Sequence, residues 1–246
     1  MKWHRADLHI HSCLSPCGEV VMSPRRIVAE ARMRGLDLIA VTDHNSAENA
    51  RAALRAAEGT PAVLPGLEVC SSEEVHVLAL FDSLEAALTL QEEVYRGITA
   101  ANDPERFGLQ VIANENDEVE GFQHKLLIGA TDLSIEEIVG RVHALGGLAI
   151  ASHIDREGYG ILGHLGFIPP GLAFDALEIS EAATLEQVEH LAREYQAYPF
   201  IRSSDAHAPD QIGRDTTCFL LEAATCRELT MAFRDEGGRR MAEAPV

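Results

Sequence analysis

The sequence predicts an α/β fold built on a parallel sheet, and three features predict it. Short apolar runs alternate with segments of helical period, the connections between them are brief, and several runs are apolar enough to be covered on both faces. A chain of 246 residues with 46% hydrophobic content can bury a large core, and one domain of α/β-barrel size accounts for nearly all of it.

Residues 1–8 alternate and read as a first strand that delivers Asp7-Leu8-His9-Ile10-His11. Period two places His9 and His11 on one face, one pleat repeat apart, where two imidazoles can bind one metal ion. A polar His-x-His where a strand gives way to a loop is costly as core and useful as a metal site. Ser23 and Pro24 open a helix running to about residue 34, Ser23 as N-cap and Pro24 at the first helical position. Residues 36–41 form a buried strand followed by Thr42-Asp43-His44-Asn45, and 47–57 an Ala-rich helix. Residues 61–69 are another buried strand with Glu68 at its end, and 75–80 a fourth with His76 at its beginning. Ser83 then caps a helix to about residue 96.

The stretch 97–131 breaks the alternation. Asn114-Glu115-Asn116-Asp117 between short apolar runs predicts a hairpin or surface excursion. Order resumes at Ser134-Ile135-Glu136-Glu137, a capping-box match ahead of a helix over 138–145, and the strand 148–152 leads into His153. A Gly-rich loop over 155–171 is long enough to be a lid. The strand 173–180, the helix 185–195 and the strand 199–203 follow, and the last delivers Ser204-Asp205-Ala206-His207. A strand over 216–221 and a helix from residue 227 close the chain. There is no internal repeat or low-complexity linker, so 1–246 is expected to be a single domain carrying a small insertion around 97–131.

Composition narrows the setting. No run approaches the length of a membrane span, the N-terminus has no basic region followed by an apolar stretch, and five irregularly spaced cysteines do not form a disulfide framework. The expected home is the cytoplasm, with no membrane partner. A formal charge of −19 repels polyphosphate at long range, so duplex nucleic acid is not expected and a small phosphorylated substrate is. The oligomeric state is left open.

His9, His11, His44, Glu68, His153, Asp205 and His207 all fall at or just after the C-terminal ends of expected strands, with His76 close to one. In α/β barrels that rim is where active sites assemble. Separate structural roles for all eight are less economical than one shared site. Imidazole with carboxylate suits zinc, manganese or iron rather than calcium.

These segments, together with Gly66-Leu67-Glu68 and Ser152-His153, resemble the motifs of the polymerase and histidinol phosphatase (PHP) superfamily, in that family's order and across positions 7 to 207. The resemblance implies a distorted (β/α)7 TIM-like barrel with two or three divalent ions and, commonly, phosphoesterase activity. Carried over, one ion is held by His9, His11, Glu68 and Asp205. Glu68 bridges to a second held by His76 and His153, and a third uses His44 and His207. Asp7 and Asp43 would orient the imidazoles. The family usually follows its His-x-His with Ser-Asp-Gly, whereas Ser15 here precedes Pro16-Cys17-Gly18-Glu19, so a third ion must recruit Cys17 or Glu19, use water, or be weakly held.

The chemistry implied is hydrolysis of a small phosphomonoester or a nucleotide or oligonucleotide phosphoester. The attacking water would be held on the metals by Glu68, His9, His11 and His153, with Asp205 and His207 as proton-transfer groups. Arg156, Arg202 and Arg214 lie beside the motifs and are candidates to hold the phosphate. Two rivals stand beside this reading. An amidohydrolase would need a bridging carbamylated lysine, for which only Lys2 and Lys125 exist, and a non-catalytic module would bind metal for stability or sensing.

Overall fold

In the computed structural model, which describes residues 1–242, the chain runs through β1 (Lys2–Ile10), α1 (Pro24–Met33), β2 (Leu38–Val41), α2 (Ala50–Ala57), β3 (Ala62–Cys70), β4 (His76–Leu80) and α3 (Leu84–Gly97). The insertion holds α4 (Pro104–Phe107), β5 (Val111–Ala113) and β6 (Val119–Phe122). There follow α5 (Ile135–Ala144), β7 (Leu148–Ala151), α6 (Ile161–Leu165), β8 (Ala176–Glu178), α7 (Leu185–Glu194), β9 (Phe200–Ile201), β10 (Thr217–Leu221), α8 (Cys226–Phe233) and β11 (Arg240–Met241).

Most helices begin where a side chain can satisfy their unpaired amides, α2 and α6 being the exceptions. Ser23 and Ser83 accept from Arg26 N and Ala86 N, and Ser134 with Glu137 closes both halves of the expected capping box. The insertion is the hairpin foreseen around Asn114–Asp117, with β5 and β6 antiparallel.

Nine strands form one curled sheet in the order β11-β10-β1-β2-β3-β4-β7-β8-β9. The segment after β9 returns to β1: His11 N donates to Ala206 O at 2.9 Å, and Ile10 pairs with Ala206. The sheet is not wholly parallel as expected. β4 runs antiparallel to both β3 and β7, and β10 and β11 are antiparallel additions. The reason is length, since the turn between β3 and β4 has no room for a crossover helix and the chain can only fold straight back.

Side chains alternate between two environments, as period two requires. Ala6, Leu8, Leu38, Ala40, Leu64, Leu78, Leu80, Leu148, Ile150, Ala176 and Ile201 form one apolar cluster, plugged by Leu229 and Ala232 of α8. The opposite faces pack outward, Ile39 and Val41 against α1 and α2, and Val77, Ala79, Ala149 and Leu177 against the later helices. One extra residue in β1 between Asp7 and Ile10 interrupts this alternation as a β-bulge. Ala6 and Leu8 face the inner cluster below it, whereas above it Ile10 packs outward. The bulge therefore turns His9 and His11 inward, above the apolar floor.

Gly66 lies on the inward face beneath Glu68, where a Cβ would stand 2.8 Å from Ala79 O and 2.9 Å from both Leu80 Cδ2 and Thr42 Cγ2. Gly66→Ala is expected to cost about 2 kcal/mol by overpacking, read as a lower urea midpoint at unchanged slope.

Candidate metal centre

All eight motif residues come together at one rim. Glu68 is fully buried, and five imidazole nitrogens surround its carboxylate: His44 Nδ1 and His76 Nδ1 at 3.0 Å, His153 Nε2 at 3.1 Å, His9 Nε2 at 3.3 Å and His11 Nε2 at 3.4 Å. β4 explains His76. Because that strand runs backwards, its first residue sits beside the C-terminal ends of its neighbours. Backbone bends set three others, with Asn45, His153 and Asp205 at φ of 53°, 26° and 46°, conformations costing on the order of 1 kcal/mol each.

Hydrogen bonds fix which nitrogens are free. His9 Nδ1 stands 2.9 Å from the Glu178 carboxylate, which can only accept, so its proton lies there and Nε2 keeps its lone pair. Ser15 donates to Asp43 Oδ1 at 2.7 Å and so accepts from His11 Nδ1 at 3.0 Å. The His9 and His11 Nε2 atoms then face each other at 3.1 Å, with Asp205 Oδ1 3.2 Å from one and 3.1 Å from the other. Three acceptors converging with no proton between them fit a cation. Without one, His9 has to take a second proton. Accordingly, although burial pushes its pKa down, Glu178, Asp205 and Glu68 hold it well above the usual range.

His44, Glu68 and His76 form a second group whose donor atoms lie within 4.8 Å of one another. His44 Nδ1, His76 Nδ1 and Glu68 Oε2 are buried without hydrogen-bond partners despite their proximity, the alignment of ligands around a shared ion rather than of donors toward an acceptor. His11, His44 and His207 make a third group on the same criterion. His44 thus stands between two groups, where the family resemblance pairs it with His207 alone. Burial brings His76 down to about 4, while Glu68, against the opposing effect of burial, raises His44 to about 10.

The remaining candidates divide. Asp43 is linked to the His11 ring through Ser15, which donates to Asp43 Oδ1 and accepts from His11 Nδ1. Asp7 does not orient an imidazole: it accepts from Ser204 N at 3.0 Å, Ser204 Oγ at 2.6 Å and Gly213 N at 2.8 Å, tying β1 to the segment after β9. The bulge is the cause, since it separates Asp7 from the face carrying His9. Arg156 reaches the centre, with Nη1 2.6 Å from Asp205 Oδ2, whereas Arg202 and Arg214 are engaged by Asp215 and Asp210. The 155–171 loop carries α6 and covers one side, Tyr159 stacking on His76 at 4.4 Å between ring centroids. Lys2 pairs with Asp37 and Lys125 donates to Ile98 O, so neither offers the bridge an amidohydrolase needs.

Glu178 was not anticipated. It is a carboxylate in an otherwise apolar strand, on the inward parity of β8, and it holds both the His9 ring and the His153 amide, the latter at 3.1 Å. That parity, in a strand ending at the rim, was the signal available.

No family model matches the chain. A curated relative, the uncharacterized protein YqxK of Bacillus subtilis, is 26% identical over 106 residues, 41% of this chain and 27% of that protein. Among solved structures, the lesion-specific endonuclease Q of Pyrococcus furiosus superposes with a TM-score of 0.74 at 20% identity over 98% of this chain and 58% of its own. A protein of Bifidobacterium adolescentis provisionally classed as a metal-dependent phosphoesterase gives 0.59 at 20% identity, covering 86% and 91%. A two-domain protein of Bacteroides vulgatus containing a predicted PHP-like metal-dependent phosphoesterase gives 0.54 at 15%, covering 92% and 61%. The likeness to the PHP superfamily read from the motifs therefore holds at the level of the fold, and the chain spans little over half the length of the endonuclease.

The expectation that duplex nucleic acid is excluded does not stand. Endonuclease Q with the same fold, TM-score 0.73 at 19% identity, has been crystallised with a 27-mer duplex carrying an abasic lesion at its active site. The net charge misled because it is unevenly spread: the first 57 residues hold eight of the 20 Lys and Arg but only six of the 39 Asp and Glu. No helix among the described residues is long and apolar enough to cross a membrane.

Glu178→Ala is expected to weaken zinc binding about 10- to 100-fold, measured by chelator competition, with Glu178→Gln restoring part of the loss. Because His9 and His44 are held protonated without a cation, zinc binding at pH 7 is expected to release protons and to weaken as pH falls. Calorimetry in buffers of different ionisation enthalpy measures that release.

Proposed function

We propose that this chain, which shares its fold with PHP-like metal-dependent phosphoesterases and with an endonuclease Q, hydrolyses a phosphoester bond with divalent ions held at the rim. The convergence of His9 Nε2, His11 Nε2 and Asp205 Oδ1 beside Glu68 is the observation that carries this reading. His9, His11, Glu68 and Asp205 would hold one ion, and Glu68 with His76 and His153 a second, as zinc, manganese or iron. Ions bound there lower the pKa of water toward about 7 and offset the negative charge growing on the phosphoryl oxygens.

The chain's own groups supply the rest. Glu178 and Ser15 fix the tautomers of His9 and His11, so these rings present lone pairs without reorganising. Arg156, partly exposed beside Asp205, is placed to grip a phosphoryl oxygen. Asp205 is a poor proton donor: burial pushes it up, but His9 and His11 hold it well below the usual carboxylate range. The His207 ring has one nitrogen left for work, because Nδ1 donates to Asp205 O at 2.7 Å. Tyr159 and its loop keep bulk water from the His76 side.

The substrate class we favour is a phosphodiester of nucleic acid, duplex included. Arg25 and Arg51, exposed in the first turns of α1 and α2, stand on the rim side because each helix follows a strand that ends there. The test is cleavage by protein reconstituted with manganese or zinc of a duplex with one abasic site, the intact duplex, a single strand and p-nitrophenyl phosphate. Cleavage should vanish with chelator, Glu68→Gln should lower kcat about 100- to 1000-fold, and Arg156→Ala should lower kcat/KM about 10- to 100-fold. A fully metallated protein inert toward all four, with Glu68→Gln altering stability alone, would leave the non-catalytic module as the reading.

A further inference from the structure

We infer that Tyr159 is a positioning residue for His76: its ring sets the plane of that imidazole beside Glu68 and so supports binding of the ion the two would share. The inference rests on the metal part of the reading above and not on the reaction. An imidazole turns about its Cβ–Cγ bond in a broad, two-fold torsion, so its rotamer alone does not aim a ring nitrogen. A ligating histidine is ordinarily aimed by a hydrogen bond at its other nitrogen. Three of the rim rings are held in that way: His9 Nδ1 lies 2.9 Å from Glu178 Oε2, His11 Nδ1 3.0 Å from Ser15 Oγ, and His207 Nδ1 2.7 Å from Asp205 O. His76 is not. Its Nδ1, 3.0 Å from Glu68 Oε1, is buried without a hydrogen-bond partner, and no described residue hydrogen-bonds to its Nε2.

Tyr159 takes the place of that bond. Its ring lies on the His76 ring at 4.4 Å between centroids and 17° between planes, in the way of any turn of the imidazole. The backbone joins the two as well, His76 N donating to Tyr159 O at 2.9 Å. Tyr159 is itself locked: its φ of 60° is a left-handed conformation that a bulky residue adopts only where its surroundings hold it. Tyr159 N donates to His164 Nε2 at 3.0 Å, and the His164 ring lies nearly parallel 6.0 Å away. The chain then turns at Gly160, where a Cβ would crowd Arg156 O and stand 2.9 Å from His153 O. With 43% of it exposed, Tyr159 is no core residue, so its loss is felt at His76 rather than throughout the fold. A ring already aimed loses little freedom when it takes up an ion, which raises affinity.

The test is zinc binding by the whole chain, measured by chelator competition, with the urea midpoint of the metal-free protein as the control for folding. Tyr159→Leu should weaken the binding of one zinc about 3- to 10-fold and leave the urea midpoint unchanged. Tyr159→Phe keeps the ring and should bind as the wild type does. On a His76→Ala background, Tyr159→Leu should have no further effect on the zinc that remains, because the tyrosine acts through that imidazole. Wild-type zinc affinity in Tyr159→Leu, or the same loss with and without His76, overturns the assignment. A loss in Tyr159→Phe as large as the expected one overturns it too, even where Tyr159→Leu does not fold. A protein that shows the expected pattern of affinities yet cleaves no phosphoester supports the role of Tyr159 and sinks the hydrolase reading, and an active protein whose zinc affinity is unchanged in Tyr159→Leu does the reverse.

Discussion

Five imidazoles within 3.4 Å of one buried carboxylate is the constraint to which the rest of this structure answers. A carboxylate has about four lone-pair positions, and the rings around Glu68 also face one another, so protons alone cannot satisfy the set. Cations can, since each imidazole then gives a lone pair to a centre of positive charge. The same crowding is unfavourable in a metal-free chain, where some rings are forced to charge and others, such as His11, are kept neutral by burial and by neighbouring His207 and His44.

Holding so many polar groups in one place requires a rigid base. The inner cluster supplies it, with layers of Leu, Ile and Ala contributed by eight strands and closed from below by α8. Directly above, the same inward positions change from apolar to polar: Leu64, Gly66 and then Glu68 along β3, Leu80, Leu78 and then His76 along the reversed β4. Local backbone departures do the final aiming. The bulge in β1 and the left-handed bends at His153 and Asp205 each turn a ring or carboxylate toward the centre.

Around that centre the polar partners are graded by what they touch. Glu178 and Ser15 hold rings, Asp43 holds Ser15, and Asp7 ties the first strand to the segment that returns beside it. Arg156 is the cation of the loop that reaches in, and Tyr159 of the same loop leans on His76. Arg156 and Tyr159 thus come from a loop, while the clustered imidazoles and carboxylates come from strand ends.

The alternation of elements, the helix caps and the eight residues that gather at the rim were legible in the sequence because they depend on local pattern: pleat period, cap chemistry, and residue types placed where apolar runs stop. What tertiary structure alone decided were matters of direction and pairing. The reversal of β4 carried His76 from the start of a strand to the shared rim, and one extra residue in β1 kept Asp7 from the imidazoles while turning His9 inward. Arg202 and Arg214 lie as near the motifs in sequence as Arg156, yet nearby carboxylates claimed them. A bulge adds no residue type of its own and the Arg202–Asp215 pair needs two chain segments to meet, so neither leaves a mark in the order of amino acids that could be read before the chain has folded.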